Sequence, residues 1–206
     1  MTHIKLCGMR RPEDIDAVNR LLPDYIGFIF APKSRRYVTK DEAASLRKAL
    51  DRRIRAVGVF VNAAEDEILV PVREGIIDDV QLHGVETPAM IRQLRAKLDA
   101  GGFSETRIIK AFSMTSPEDT AAALASPADL ILLDSGSGGT GAAFDWALLK
   151  NFPRPFFLAG GLSPDNAAAA LTEVRPWGLD VSSGIETDGF KDNAKMARFM
   201  QAVGRM

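Results

Sequence analysis

Leu158-Ala159-Gly160-Gly161-Leu162 and Asp180-Val181-Ser182-Ser183-Gly184 are the two stretches on which the fold reading turns. Each follows a short apolar run, Pro155–Leu158 and Trp177–Leu179, with the character of a buried strand. Each precedes a helical pattern, one opening at Ser163-Pro164 and one near Lys191. Glycine lets backbone N–H groups converge without Cβ hindrance, and a following helix N-terminus adds partial positive charge. Two such units side by side near the end of a chain form a phosphate clamp, the arrangement found after the seventh and eighth strands of a (β/α)8 barrel. The expected ligand is a phosphorylated small molecule.

Working outward from this pair, apolar runs and helical patterns alternate along the whole chain. Candidate strands are Ile4–Cys7, Tyr25–Phe30, Ala56–Val61, Val80–Leu82, Ile108–Ala111, Leu130–Leu133, Pro155–Leu158 and Trp177–Val181. They are apolar on both faces, as a parallel sheet covered by helices requires. Candidate helices are Pro12–Leu22, Lys40–Leu50, Ala64–Glu74, Pro88–Asp99, Pro117–Ala125, Trp146–Asn151, Pro164–Val174 and Asn193–Val203. Helix-start signals support several of them: Thr39 before Lys40-Asp41-Glu42, Thr87-Pro88, Ser116-Pro117-Glu118 and Ser163-Pro164-Asp165. Eight β/α units with no Ser/Pro/Gly-rich linker between them predict an α/β protein, a single-domain (β/α)8 TIM barrel over residues 1–206. An open doubly wound sheet more often has about five or six strands.

Bulk properties narrow the function classes. Lys and Arg number 26 against 27 Asp and Glu, a net charge of −1, which gives no global field for nucleic acid or an anionic membrane. No apolar run approaches the ~18 residues of a membrane span. The first strand begins almost at the N-terminus, which leaves no room for a signal peptide, and a cytoplasmic protein is expected. One cysteine excludes an internal disulfide, and two histidines make a dense metal cluster unexpected.

In a barrel the chemistry sits just after the strands. Lys5-Leu6-Cys7-Gly8 ends the first strand; Cys7 reads either as a small buried hydrophobe or as a thiolate nucleophile or base. Asp134 follows Leu130–Leu133 and reads either as a loop cap or as a general acid, with Gly138-Gly139-Thr140-Gly141 a turn beyond it. Ser34-Arg35-Arg36 is a solvated charge run, unless one guanidinium turns inward to grip a carboxylate. Gln81 and His83, in Gln81-Leu82-His83-Gly84, are either structural or pocket-lining. Asp180 would bind a sugar hydroxyl or cap Ser182 and Ser183.

Taken together, Lys5–Gly8, Ser34–Arg36, Gln81–Gly84, Leu132–Asp134, Gly138–Gly141, Leu158–Leu162 and Asp180–Glu186 resemble the phosphoribosylanthranilate isomerase family. The resemblance spans the chain in the right order. It implies a (β/α)8 fold and an Amadori rearrangement of an aminoaldose phosphate in tryptophan biosynthesis. By that resemblance Cys7 is the general base, Asp134 the general acid, and Arg36 the residue that holds the anthranilate carboxylate. Gly160, Gly161, Ser182, Ser183 and Gly184 then bind the phosphate, with Gln81, His83 and Asp180 lining the substrate site. The chemistry implies no cofactor and no metal, a small-molecule phosphorylated substrate, no nucleic-acid or membrane partner, and a monomer or homodimer.

Other phosphosugar barrels fit less well. One class would want a lysine acid, and Lys110 lies in the fifth strand, but glutamate partners for it are not evident in the sequence. Metal-dependent epimerases would want more histidines, and dual-substrate isomerases an aspartate where Cys7 stands. A non-catalytic phospholigand module would leave Cys7 and Asp134 without a reason to sit at strand ends.

Overall fold

Eight parallel strands pair in chain order and the last closes on the first. They are β1 (His3–Cys7), β2 (Tyr25–Ile29), β3 (Arg55–Phe60), β4 (Asp79–Leu82), β5 (Ile108–Ser113), β6 (Leu130–Asp134), β7 (Phe156–Ala159) and β8 (Gly178–Val181). This computed structural model describes residues 2–114, 116–134, 146–149 and 152–205. Among them seven α-helices cover the barrel: α1 (Pro12–Leu21), α2 (Lys40–Ala49), α3 (Glu65–Arg73), α4 (Pro88–Ala100), α5 (Pro117–Ala125), α6 (Ala167–Val174) and α7 (Asn193–Ala202). A hairpin of β9 (Glu186–Thr187) and β10 (Phe190–Lys191) precedes α7. The Gly138–Gly141 turn lies outside the described residues.

The alternation of side chains along each strand builds two cores from one sheet. Ile4, Leu6, Ile26, Phe28, Val80, Leu82, Leu158 and Leu179 point outward and pack under the helices. Tyr25, Val57, Ile109, Leu130, Leu132 and Phe157 point inward and fill the barrel from below. This two-sided burial is why the strands read as continuous apolar runs.

A repeated device sets the lower edge. Asp24, Asp78 and Asp129, each just before an even-numbered strand, accept an amide from the start of the preceding strand: Ile4, Ala56 and Ile108 at 2.8, 2.7 and 2.7 Å. Each carboxylate is also ion-paired with an arginine: Arg205, Arg47 and Arg95. These buried amides lie where no ladder partner is available, so a side chain must satisfy them.

Helix starts follow local chemistry. Thr39 accepts the Glu42 amide while Glu42 returns to the Thr39 amide at 2.7 Å, and Thr87 Oγ1 accepts the Met90 amide. Three expectations change. The sixth helical pattern is a 3₁₀ turn over Trp146–Leu149, and Asn151 lies outside the described residues. The helix expected at Pro164 begins at Ala167, after a turn over residues 164–166 in which the Asn166 side chain accepts the Ser163 amide at 2.8 Å. The segment after Ser182-Ser183 does not lead straight into a helix: it makes a 3₁₀ turn (Ser183–Ile185), then the hairpin. The first-turn amides of α7 are taken by Asp192, which accepts from Ala194 and Lys195 at 2.9 and 3.1 Å. No helix among the described residues is long and apolar enough to cross a membrane.

Asp78→Ala removes the acceptor of a buried strand amide, and an unfolding free energy lower by about 1–3 kcal/mol is expected. Urea unfolding of the variant against the parent measures it; an unchanged midpoint would mean that solvent replaces the carboxylate.

Candidate active site

A cavity of about 510 Å³ opens at the carboxyl ends of the strands, and every one of the eight contributes to its wall or floor. In chain order these contributions are Cys7, Ile29, Val59, Gln81, Ala111, Asp134, Ala159 and Asp180. Arg36, His83, Gly160, Gly161, Ser182 and Ser183 complete the rim. A second hollow, between Phe152–Phe156 and Thr172–Trp177, lies at the opposite end of the barrel, away from these groups.

Cys7 owes its position to two glycines. The chain turns at Gly8, whose φ is +87°, and the amides of Gly8 and Met9 both donate to the Gly27 carbonyl at 2.9 and 3.0 Å. A side chain at that φ would be strained. Across the ladder Cys7 pairs with Gly27, where a Cβ would lie 2.5 Å from Cys7 Sγ. The thiol fills the space that Gly27 leaves. Burial pushes its pKa up, and Lys5 beside it pulls the other way.

Beneath the cavity Lys5 is fully buried and its ammonium lies 3.0 Å from Asp180 Oδ1. Burial works against the charged lysine, but Asp180 and Cys7 outweigh it and hold its pKa above the ordinary value. Asp180 thus pairs with Lys5 rather than capping the Ser182-Ser183 turn.

On the far wall, Asp134 Oδ2 lies 3.7 Å from His83 Nε2, and His83 Nδ1 is 3.0 Å from Gln81 Nε2. Burial depresses the His83 pKa, although Asp134 works to raise it, so the neutral ring is favoured near neutrality. In the tautomer protonated at Nε2, Gln81 donates to Nδ1 and the ring N–H faces Asp134. Among the described residues Gln81 Oε1 is buried without a hydrogen-bond partner. An acceptor in that state, in a cavity wall, suits a ligand hydroxyl.

Arg36 turns inward, but not into an empty space. Its Nε and Nη2 grip Glu186 at 2.5 and 2.8 Å, and Arg35 and Lys191 reach the same carboxylate at 3.1 and 2.7 Å. Burial works to raise the Glu186 pKa, yet the hydrogen bonds from Arg36 and Lys191 bring it down to about 2. Lys191, itself buried, also donates to the Ser182 carbonyl at 2.8 Å.

The two glycine loops meet at the remaining edge. Gly160 and Gly161 adopt φ of +86° and +62°, and Asn166 Nδ2 donates to the Gly161 carbonyl at 2.9 Å, which ties the loop to the start of α6. Gly184 does not line the cavity as expected for a phosphate ligand. A Cβ there would lie 1.9 Å from the Leu162 carbonyl oxygen, so its role is to let the two loops touch. Ser182 Oγ is committed to the Cys7 carbonyl at 3.1 Å.

The geometry thus sets a thiol and a carboxylate on separate walls of one pocket, between the two glycine loops and an inward arginine. The family model for N-(5'-phosphoribosyl)anthranilate isomerase matches residues 4–202. The chain belongs to the phosphoribosylanthranilate isomerase family. It is 44% identical to N-(5'-phosphoribosyl)anthranilate isomerase of Acetivibrio thermocellus, across 98% of this chain and 96% of that one. The phosphoribosyl anthranilate isomerase structure from Thermotoga maritima superposes with a TM-score of 0.87 at 33% identity over both whole chains. Another isomerase structure, in complex with reduced 1-(o-carboxyphenylamino)-1-deoxyribulose 5-phosphate, matches at a TM-score of 0.85 and 31% identity, again over both whole chains.

Within this isomerase framework, ten of the eleven residues expected from the sequence share the cavity, Gly184 being the exception. Sequence reasoning missed Gly27, Lys5, Glu186, Lys191 and Asn166. A buried-strand lysine two residues before the cysteine was a visible signal for Lys5; the others depend on which elements meet. Lys110 does have a glutamate partner, Glu86 at 3.2 Å, but its ammonium also donates to the carbonyls of Gly84 and Ala111, so it serves the barrel wall.

Gly27→Ala should displace the Cys7 thiol while the overpacked site destabilises the fold by about 1–3 kcal/mol. A misplacement approaching 1 Å lowers turnover on the order of 10²-fold. Steady-state kinetics beside a thermal melt checks this, and parental turnover in the folded variant would show that the thiol position is not critical.

Proposed function

We propose that this chain catalyses the Amadori rearrangement of N-(5′-phosphoribosyl)anthranilate to the 1-deoxyribulose 5-phosphate aminoketose, with Cys7 as general base and Asp134 as general acid. The observation that carries the reading is the single cavity in which both groups face a space flanked by the two glycine loops and Arg36. The step belongs to L-tryptophan biosynthesis, and the reading places the enzyme in the cytoplasm.

The substrate has an anion at each end, and the site has a cationic or N–H-rich element at each end. Backbone amides of residues 160–162 and of Ser182 and Ser183 would hold the phosphate. Arg36 would take the anthranilate carboxylate through its Nη1 edge, since Nε and Nη2 already hold Glu186. Gln81 Oε1 would accept a ribose hydroxyl, which gives that buried oxygen its missing partner. Binding energy at both ends then fixes C2′ against the thiolate.

Chemically, Asp134 delivers a proton to the furanose ring oxygen as the C1′–O bond breaks, and the ring opens to a protonated Schiff base. Cys7 takes the C2′ proton, and the electron pair of that bond moves to form the enolamine. Protonation at C1′ and loss of the C2′ hydroxyl proton give the ketone, so the reaction is an isomerisation with no net redox change. The iminium is the electron sink, which lets two proton-transfer groups suffice.

Loss of substrate fluorescence on addition of the purified protein tests the reading directly, and no turnover at substrate saturation would overturn it. Cys7→Ser and Asp134→Asn should each lower kcat by about 10²–10⁴-fold, with product-analogue affinity nearly unchanged. Activity should fall as pH drops through the titration of the thiol, because only the thiolate accepts the C2′ proton. Asp134→Asn retaining more than about a tenth of parental turnover would remove Asp134 from the acid role.

A further inference from the structure

We propose that Lys5 acts as an electrostatic positioning residue that favours the thiolate of Cys7 against its burial, from a fixed site directly beneath the thiol. The proposal deepens the base role given to Cys7 above, but the charge interaction exists without substrate and is testable without it.

Lys5 and Cys7 are alternate residues of β1, so both side chains point into the barrel about 6.6 Å apart along the strand. The ladder pairs Lys5 with Asp180 of β8, one step below the thiol, and the salt bridge fixes the ammonium there. From these positions the ammonium and the thiol act on each other electrostatically. Lys5 has no exposed surface, so solvent does not screen it. A buried ion pair of this kind is weak evidence for stability, since apolar residues of similar volume often serve the fold as well. What a hydrophobic substitute cannot supply is a positive charge under a buried thiol.

The groups around Cys7 leave that task to Lys5. Asp180 on β8 disfavours the thiolate, though it keeps Lys5 protonated, which burial alone would oppose. Arg36, after β2, and Lys191, on β10, are engaged by Glu186, so their charge is partly cancelled. His83 on the far wall is shifted toward its neutral form, and Asp134 beside it adds negative charge when ionised. Of these, Lys5 acts on Cys7 most strongly in the direction of the thiolate.

The test uses the fact that Cys7 is the chain's one cysteine. Thiolate ultraviolet absorbance is titrated in the ligand-free protein, with the Cys7→Ser variant subtracted as the blank. In Lys5→Met the thiol should titrate at least about one pH unit higher than in the parent, as expected on losing a close opposite charge. The acid limb of kcat/KM should move by the same interval, while KM for substrate at high pH stays near the parental value. Lys5→Met leaves Asp180 buried without its partner, which puts its folding at risk. The double variant Lys5→Met/Asp180→Asn removes both charges, and its thiol should still titrate above the parent because the lysine outweighs the aspartate. A folded variant of either kind whose thiol titrates at or below the parental position overturns the proposal. A shifted thiol with no shift in the acid limb would instead overturn the base role of Cys7, so the two failures are distinguishable.

Discussion

Pairing of β1 with β8 is the constraint on which the rest of this molecule depends. It brings Lys5 beside Asp180 and Cys7 beside Ser182, partners that are 175 residues apart in the chain. Closing so long a loop has an entropic cost, though it grows only slowly with length. What offsets it is the inward and outward packing of eight strands, since each strand contributes to both cores. A sheet left open at this seam would still hold Asp134 near His83 and the two glycine loops side by side, but Lys5 would lose Asp180 and Ser182 would lose the Cys7 carbonyl.

Closure also explains why glycines gather at the upper rim. Where two strand ends and their loops converge, the backbone itself occupies the space a side chain would need. Gly27 yields to the cysteine thiol and Gly184 to the Leu162 carbonyl, and at both a methyl group would collide. Gly8, Gly160 and Gly161 serve a different need, because their φ angles lie in the left-handed region. Packing and backbone conformation thus demand the same residue for separate reasons.

Much of this was legible in the sequence, and the pattern of what was not is physical. All eight strands were readable because burial on both faces makes each one an apolar run, and Thr39 and Thr87 marked their helices through local bonds. Ser163-Pro164 opens the turn that leads into α6, which becomes regular only at Ala167, and Asn166 ties that turn to the glycine loop. Cys7, Asp134 and Asp180 stood out by lying at strand ends. Their partners did not, because Lys5–Asp180 and Arg36–Glu186 are contacts between elements 175 and 150 residues apart. A single sequence displays local chemistry, while register decides which charges meet.

The Arg36–Glu186 contact bears on how the site meets its ligand. Three cations, Arg35, Arg36 and Lys191, surround one carboxylate, so the rim remains positive after their mutual pairing. The hairpin that supplies Glu186 and Lys191 is itself held down: Arg10 donates to the Gly189 carbonyl at 2.7 Å, and Arg11 to that of Lys191 at 2.8 Å. Arg10 also sits 4.4 Å from the centre of the Phe190 ring, a cation–π distance. The guanidinium of Arg36 is therefore fixed in direction before any ligand arrives, and the ordering cost of a long flexible side chain is met during folding rather than at binding. In the proposed reading, a phosphate at the glycine loops and a carboxylate at Arg36 would enter a field already arranged for them. Charge held in place in this way can favour the transition state without reorganising as the reaction proceeds.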